Sequence, residues 1–371
     1  MKTINFGNHF EIYDDSLKVY DKLPPQSYVV RFEKMSGFYL EKYLDIEVNE
    51  EKIYGVHIEK INKVMRSFKA FDRNLGVILS GDKGIGKSLF AKMLNLEAVK
   101  NNLPCIIVDR YIPGIASYLE RIEQEVVVMF DEFDKTFGEI KAADGSADPQ
   151  TELLTLFDGM SSGKKMFVIT CNELRNLNNY LINRPGRFHY HFRFNYPTPD
   201  EIKEYLTDKL APEYYGEING VVKFSGRVKL NYDCLRAIAF ELNSGESFKS
   251  AIEDLNIIRD ASINYQIVLT FKDHTPIIIT EKTAIDLFSQ KSFFYWCDDG
   301  SKYDHNIGVK FNTVGCIYDE SISANTIGAE KMSIIYDDYE GDTEVIEHLK
   351  NLTPDKLIIK KISDPPLHYI L

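Results

Sequence analysis

A glycine-rich stretch in the first third of the chain limits the fold more than any other feature. Residues 81–88 read GDKGIGKS and fit the pattern G-x-x-x-x-G-K-[ST]. The apolar run GVILS precedes them and predicts a strand, and SLFAKMLNLEAVKNN follows them and predicts a helix. A strand, a glycine loop and a helix in this order are typical of an α/β fold with a phosphate-binding loop.

The chemistry of this loop follows from its residue types. Glycines allow a turn tight enough for successive backbone N–H groups to face phosphate oxygens, and the helix N-terminus adds partial positive charge. The Lys87 ammonium would reach the β- and γ-phosphates, and the Ser88 hydroxyl would bind Mg²⁺. An ordinary glycine turn is the alternative, which the flanking elements disfavour. The residues expected to contact the nucleotide are Gly81, Asp82, Lys83, Gly84, Ile85, Gly86, Lys87, Ser88 and Leu89.

Apolar strands alternate with helical patterns through the following segment. PCIIVDR, VVVMF, KMFVITC and HYHFRF predict strands, and GIASYLERIEQ and TELLTLFDGM predict helices. Strands of this apolar character separated by helices indicate a parallel sheet covered on both faces. Four segments follow from the changes in pattern: a β-rich segment 1–48, an α/β core 49–197, a small helical segment 198–258 and a β-rich segment 259–371. SLKVY in the first segment is also predicted as a strand.

Polar side chains follow two of the predicted strands. Asp131 and Glu132 come directly after VVVMF, and Asn172 follows KMFVITC. Ligands bind at the carboxyl ends of parallel strands, where Asp131 would hold Mg²⁺ and Glu132 would polarise an attacking water. Asn172 would help to position that water. The alternatives are that the two acidic residues cap the next helix and that Asn172 is a turn residue.

Composition narrows the class of protein. The net charge is −12, and the part from Ala261 onward holds 17 Asp and Glu against 10 Lys and Arg. This acidic balance makes a general nucleic-acid binder less expected.

Five widely spaced cysteines without a CxxC pair predict reduced thiols in a cytoplasm. No signal peptide or membrane span is expected. The many Ile, Lys, Asn and Tyr residues with one Trp are consistent with the AT-rich genome of a phage or low-GC bacterium.

The glycine loop, DEFDK, TELLTLFDGM, FVITCNE and NRPGRF together resemble the AAA clade of the AAA+ ATPases over roughly residues 50–258. The resemblance implies a ring, commonly a hexamer, that hydrolyses ATP with Mg²⁺ at its subunit junctions. It also implies that 49–197 is the nucleotide-binding core and 198–258 a helical lid. Walker A falls on Gly81–Ser88, Walker B on Asp131 and Glu132, and sensor 1 on Asn172.

Further roles also come from the resemblance. Arg187 of the Gly-Arg-Phe sequence matches an arginine finger that enters the neighbouring subunit's site, and Arg184 would share this work or brace the loop. Ile53, Tyr54 and Gly55 resemble the segment that packs on adenine. The chain departs from the family pattern after the finger, where His189 and Tyr190 replace the usual acidic and second arginine residues.

A tyrosine after the second strand of the core indicates what kind of substrate the protein acts on. Tyr111 and Ile112 stand where AAA unfoldases carry an aromatic pore loop, and the alternative is a turn whose tyrosine packs within its own subunit. A protein remodeller or translocase is therefore the leading expectation. A DNA-linked motor or a clamp or helicase loader is the first alternative, and an ATP-switched assembly or scaffold protein is the second.

The C-terminal β-rich segment carries an aromatic run, FFYW at 293–296, and acidic pairs at 298–299 and 337–338. Alternating aromatic residues in a strand more often belong to a core than to a ligand site. We expect this segment to recognise a partner or to organise the ring.

Overall fold

The computed structural model describes residues 2–7, 9–14, 16–43, 54, 57–138, 149–158, 163–178, 180–182, 184–257, 263–289 and 291–362. The contacts divide the chain into two compact units, Met1–Phe194 and Asn195–Leu371. Within the described residues, none of the helices combines the length and the apolar character that crossing a lipid bilayer requires.

The first unit alternates strands and helices. In chain order its elements are β1 (Lys2–Phe6), β2 (His9–Tyr13), β3 (Ser27–Glu33), β4 (Gly37–Lys42), α1 (His57–Ala70), β5 (Leu75–Ser80), α2 (Lys87–Lys100), β6 (Cys105–Val108), α3 (Ile115–Glu120), β7 (Val126–Phe130), α4 (Phe133–Thr136), α5 (Pro149–Phe157), β8 (Lys165–Cys171) and β9 (Tyr190–Arg193).

A seven-stranded sheet forms the centre of this unit. Its strand order is β4-β3-β6-β7-β8-β5-β9, and every neighbouring pair is parallel except β3 and β4. All residues of β5, β7 and β8 are buried, as a sheet covered by helices on both faces requires. The predicted α/β fold with a mostly parallel sheet is confirmed.

Strands β3 and β4 extend this sheet, whereas β1 and β2 form a separate two-stranded sheet. β3 pairs in parallel with β6 over Ser27–Cys105 to Val29–Ile107, and β4 pairs with β3 as an antiparallel edge. The Ser27 hydroxyl is 2.8 Å from Oδ1 of Asn95 in the buried interior. The sequence alone did not indicate this pairing, because strand partners distant along the chain leave no local pattern.

The strand predicted for SLKVY is wrong. Ser16–Tyr20 is mostly exposed and is not part of any sheet within the described residues. Residues of strand-like composition form a strand only where a neighbouring strand receives their backbone hydrogen bonds.

The second unit begins with helices and ends with strands. In chain order its elements are α6 (Pro199–Lys209), α7 (Ile218–Ser225), α8 (Tyr232–Asn243), α9 (Phe248–Asp254), β10 (Asn264–Phe271), β11 (Pro276–Ala284), β12 (Ser292–Trp296), β13 (Ile307–Asn312), β14 (Ile317–Asp319), β15 (Ala324–Gly328), β16 (Met332–Tyr336), α10 (Thr343–Asn351) and β17 (Pro354–Lys361).

Helix α6 begins with a capping box, in which the Thr198 side chain accepts from the Glu201 N–H and the Glu201 carboxylate accepts from the Thr198 N–H. The β part has a five-stranded sheet, β11-β10-β17-β15-β14, and a three-stranded sheet, β12-β13-β16. One apolar cluster joins the two sheets, because residues of β10, β11, β13 and β17 all contribute to it.

The helical and β-rich parts of this unit share hydrogen bonds. Nη2 of Arg227 donates to the Cys316 carbonyl at 2.9 Å, and Nζ of Lys361 donates to the Ser225 carbonyl at 2.9 Å. The Tyr265 hydroxyl donates to the Gly226 carbonyl at 3.3 Å. These contacts belong to one compact unit.

Candidate nucleotide-binding site

Three neighbouring strands of the central sheet end at the same edge and carry the predicted site residues. Strand β8 lies between β5 and β7, and all three run parallel. The glycine loop follows β5, Asp131 and Glu132 follow β7, and Asn172 follows β8. The structure therefore brings these three predicted groups together, with Asn172 between the loop and the carboxylates.

The backbone of the loop requires glycine at several positions. Gly81, Gly84 and Gly86 have φ values of 140°, 74° and 98°, which side-chain-bearing residues rarely adopt. A Cβ atom at Gly81 would lie 2.4 Å from the Phe194 carbonyl oxygen. The turn therefore closes against the start of the segment after β9, and helix α2 begins at Lys87 directly after it.

The side chain of Lys87 lies inside the loop. Its ammonium donates to the carbonyls of Gly81 and Asp82, each at 2.6 Å, and to Oδ1 of Asn172 at 2.9 Å. Burial lowers the pKa of Lys87, and the acidic groups near it oppose that shift. The ammonium thus lies within the volume that the loop encloses, beside Asn172.

Thr170 of strand β8 hydrogen-bonds to both predicted acidic residues, to the Asp131 carboxylate and to the Glu132 backbone. Its hydroxyl donates to Oδ1 of Asp131 at 2.7 Å and accepts from the Glu132 N–H at 2.8 Å. Glu132 has a left-handed backbone with φ 46°, and this hydrogen bond holds it there. Both carboxylates are exposed to solvent at the sheet edge, while Thr170 is buried.

Lys135 forms an ion pair with Glu132 one helical turn away. Its ammonium is the main cause of a lowered pKa at Glu132, and the charge of Lys83 adds a smaller contribution in the same direction. Glu132 is therefore ionised over the neutral range, the form that a general base requires.

Asp134 fixes the segment that carries Asn172. Its Oδ2 atom accepts from the N–H groups of Asn172 and Glu173, both at 3.0 Å, and its side chain is buried. Within the described part of the chain, Asn172 Nδ2 and Asp134 Oδ1 are buried without a hydrogen-bond partner. An unpaired buried donor is costly, so Nδ2 of Asn172 suits an acceptor supplied by a ligand or its water.

Arg187 lies at the end of a turn that begins at Arg184. The N–H groups of Arg187 and Phe188 both donate to the Arg184 carbonyl, at 2.9 and 3.0 Å. Strand β5 admits this turn because Gly76 has no side chain, and a Cβ there would lie 2.2 Å from the Arg187 carbonyl oxygen. The turn is thus fixed against the strand that leads into the glycine loop.

The guanidinium of Arg187 is held within its own chain. Nε and Nη2 donate to the two carboxylate oxygens of Asp158, the second at 2.6 Å, and Nη1 donates to the Tyr180 carbonyl at 2.8 Å. Arg184 is more exposed, and its guanidinium lies 5.3 Å from the centre of the Tyr180 ring. The two arginines of the turn therefore have different environments.

The residues predicted to contact adenine and to line a pore lie apart from one another along the chain. Tyr54 is buried, whereas Ile53 and Gly55 lie outside the described residues. The Tyr111 hydroxyl donates to Oε2 of Glu152 at 2.7 Å, and its ring meets Phe137 edge-on at 5.7 Å. Both contacts of Tyr111 lie within the chain, and its neighbour Ile112 is half-buried.

The side chains at this sheet edge are of the types that bind a nucleotide together with Mg²⁺. The exposed Ser88 side chain stands in the first turn of α2, and the exposed Asp131 carboxylate follows β7, two strands from β5 in the sheet. The Lys87 ammonium lies inside the loop, bound to the carbonyls of Gly81 and Asp82. Oxygen ligands from a hydroxyl and a carboxylate are those that Mg²⁺ prefers beside phosphates.

Four residues of this site were not identified from the sequence: Thr170, Asp134, Lys135 and Asp158. Asp134 and Lys135 stand within the quoted DEFDK motif, so their closeness to Glu132 was visible, but their partners were not. Thr170 and Asp158 are ordinary residues at the ends of a strand and a helix. Their roles depend on contacts across 29 to 39 residues, which no local pattern reveals.

These features define a P-loop nucleotide-binding domain, with the loop, carboxylates and amide at one edge of a parallel sheet. More specifically, residues 77–196 match the family described as "ATPase family associated with various cellular activities (AAA)". The chain is 26% identical over 174 residues to a protein of Dictyostelium discoideum named "Putative ribosome biogenesis ATPase nvl". It is 24% identical over 262 residues to the ATPase family gene 2 protein of Saccharomyces cerevisiae.

The two alignments cover different shares of this chain and of the relatives. They span 41% and 63% of this chain but only 20% and 32% of the relatives. The chain therefore matches at most about a third of the length of either relative.

Proposed function

We propose that the chain is a Mg²⁺-dependent ATPase that assembles into a ring, most simply a hexamer, and remodels or translocates a protein substrate in the cytoplasm. The observation that carries the ATPase part is the meeting of Lys87, Asp131, Glu132 and Asn172 at one sheet edge. The ring and the substrate rest on the AAA domain and on the position of Arg187.

Each side chain has a task in this proposal. The loop amides and Lys87 bind the phosphates of ATP, while Ser88 and Asp131 hold the metal. Bound Mg²⁺ would neutralise charge that develops on the phosphate oxygens. Glu132 accepts a proton from the attacking water, and Nδ2 of Asn172 donates to that water and positions it.

Arg187 serves the neighbouring subunit in this proposal. A guanidinium near the transferred phosphate stabilises the charge of the transition state. In the isolated chain it is bound to Asp158, so it must exchange this carboxylate for the neighbour's phosphate. Hydrolysis would then depend on assembly, which favours an enzyme over a protein that uses ATP only as an assembly switch.

The central experiment measures ATP binding and hydrolysis separately. Glu132→Gln should bind ATP and hydrolyse it at least roughly a hundredfold more slowly, while Lys87→Ala should lose binding. Arg187→Ala should bind ATP without hydrolysing it, and Arg184→Ala, from the same turn, tests whether that arginine shares the work of Arg187. Full hydrolysis by the Glu132 variant would contradict the proposal.

A mixing experiment tests whether Arg187 acts on a neighbour. Lys87→Ala chains supply an intact Arg187, and Arg187→Ala chains supply an intact phosphate site. Mixed rings should therefore recover part of the activity that neither variant has alone. Absence of recovery in rings shown to contain both chains would confine Arg187 to its own subunit.

The substrate class is tested by stimulation of the ATPase. An unfolded protein should raise the rate of a remodeller, whereas single- or double-stranded DNA should raise the rate of a DNA-linked motor or loader. The name of one relative, a ribosome biogenesis ATPase, agrees with work on a macromolecular assembly. The acidic net charge of −12 favours the protein substrate.

A further inference from the structure

The three-stranded sheet of the second unit divides its aromatic run between two faces. Phe293 and Tyr295 of β12 pack against the apolar cluster between the sheets. Phe294 and Trp296 alternate with them and therefore stand on the outer face. The sequence expectation that this run belongs to the core holds for only half of it.

Two cross-strand rows make up the outer face. Trp296 pairs with Gly308, which pairs with Ile335, and Phe294 pairs with Lys310, which pairs with Ser333. The Trp296 and Phe294 rings meet edge-on at 5.4 Å, and both lie over Gly308, where a Cβ would be 2.9 to 3.1 Å from them. Phe294 is 42% exposed and Ile335 38% exposed. We call these residues, Phe294, Trp296, Gly308 and Ile335, the aromatic face.

Acidic residues gather at one end of this sheet. The strands are antiparallel in the order β12-β13-β16, so the ends of β12 and β16 and the start of β13 lie together. The acidic residues within four positions of that end are Asp298, Asp299, Asp304, Asp337, Asp338 and Glu340. This is also the end at which the Trp296 row lies.

These carboxylates make different contacts with the residues around them. Asp299 and Asp337 accept backbone N–H groups that shape their turns, and Asp338 pairs with Lys350. Oxygens of Asp298 and Asp304 and a ring nitrogen of His305 all lie within 4.8 Å of one another. Two like charges held this close attract a cationic group strongly.

We propose that the aromatic face and its acidic end form a docking surface for a protein segment that carries Lys or Arg side chains. The aliphatic stems of such side chains would pack on Phe294 and Ile335 and their charges would lie over the Trp296 ring or against Asp298 and Asp304. The charge of this end is complementary to a basic segment and repels nucleic-acid phosphates. Lys310, in the other row, is the one cation among the six outward positions described above.

The only tryptophan of the chain, Trp296, reports directly on this surface. The probe is a ten-residue peptide of alternating lysine and threonine, with a glutamate-threonine peptide and decauridylate RNA as comparisons. The lysine peptide should change the Trp296 emission, with affinity that falls as salt rises. The other two probes should leave the emission unchanged. Binding of the RNA in place of the lysine peptide would overturn the proposal.

Variants separate this surface from the general negative charge of the chain. Phe294→Ala and the double variant Asp298→Asn/Asp304→Asn should each weaken lysine-peptide binding at least roughly fivefold. The matched control, Glu213→Gln/Glu246→Gln, removes the same charge from exposed positions of the helical part and should change little. Equal weakening by the control, or unchanged binding by Phe294→Ala, would overturn the proposal. Phe294 is exposed. The far-ultraviolet circular dichroism and thermal unfolding of each free variant check its fold independently of Trp296.

Discussion

Arg187 and Asp158 form a two-point ion pair, in which Nε and Nη2 of the guanidinium donate to both carboxylate oxygens, with Nη2 2.6 Å from Oδ2. The arginine lowers the pKa of Asp158, so the pair stays charged throughout the neutral range and is lost only when acid protonates the carboxylate. The residue proposed to serve a neighbouring subunit thus has a competing partner in its own chain.

Removing that competitor should favour the neighbour. A partly exposed pair of this kind contributes up to about 1 kcal/mol, so Asp158→Asn should raise ATPase activity up to about fivefold. The measurement is the steady-state rate over a range of chain concentrations that spans ring assembly.

Asp158→Glu keeps a carboxylate on a longer side chain and is the matched control. Its ATPase rate should stay closer to that of the unmodified chain. A rate below that of the unmodified chain for Asp158→Asn would mean that Asp158 orients Arg187 for catalysis and does not compete for it.

The Lys135–Glu132 ion pair predicts a change in pH dependence. Lys135 lowers the pKa of Glu132, so the carboxylate remains ionised to a lower pH than an isolated Glu. Lys135→Ala should return this pKa toward its ordinary value. The acid limb of the kcat–pH profile should therefore move to higher pH, with little change near neutrality.

Arg175→Ala provides the comparison, because Arg175 pairs with Glu173 beside the site and does not contact Glu132 in the described structure. Its acid limb should stay in place. A Lys135→Ala profile that coincides with the original would remove Glu132 as the base whose ionisation sets that limb.

The sequence predicted most of the site because its signals are local. The glycine loop, the apolar strand before Asp131 and the strand before Asn172 are each contained in fewer than ten residues. Once parallel strands are inferred, their carboxyl ends must share one edge, and the convergence of these groups follows.

Contacts between distant segments were not predictable in the same way. The pairing of β3 with β6 and the hydrogen bonds of Thr170 join residues about 40 to 80 positions apart. The aromatic run shows the limit most clearly, because alternation predicts two faces for β12 but does not tell which face meets the core. Burial of Phe293 and Tyr295 depends on the second sheet of that unit.

Thr170 should affect both stability and metal use. Thr170→Val keeps the shape of the side chain but removes the hydroxyl that binds Asp131 and the Glu132 N–H. Loss of these partners should lower the free energy of unfolding by about 1–3 kcal/mol. It should also raise the Mg²⁺ concentration needed for half-maximal ATPase, because Asp131 loses its orientation.

Thermal unfolding measures the loss of stability, and a Mg²⁺ titration of the ATPase measures the metal requirement. Thr170→Ser retains the hydroxyl, so both changes should be smaller than in Thr170→Val. An unchanged Mg²⁺ requirement in Thr170→Val would show that Asp131 is oriented without Thr170.

Tyr111 tests packing against a role in a ring pore. Its hydroxyl and the Gly114 N–H both donate to Glu152, at 2.7 and 3.2 Å, and its ring packs beside Phe137. Tyr111→Phe retains the ring and loses one hydrogen bond, so the free energy of unfolding should fall by only about 0.5–1.5 kcal/mol. Tyr111→Ala also loses the ring contacts and should cost about 2–3 kcal/mol, with ATP binding retained.

Chemical denaturation measures these differences, and the ATPase and remodelling assays are run below the unfolding range of both variants. Because its ring contacts lie within one chain, Tyr111→Phe should retain both activities. A Tyr111→Ala chain that is as stable as the original, hydrolyses ATP and fails to remodel would contradict the packing role and assign the ring to a substrate.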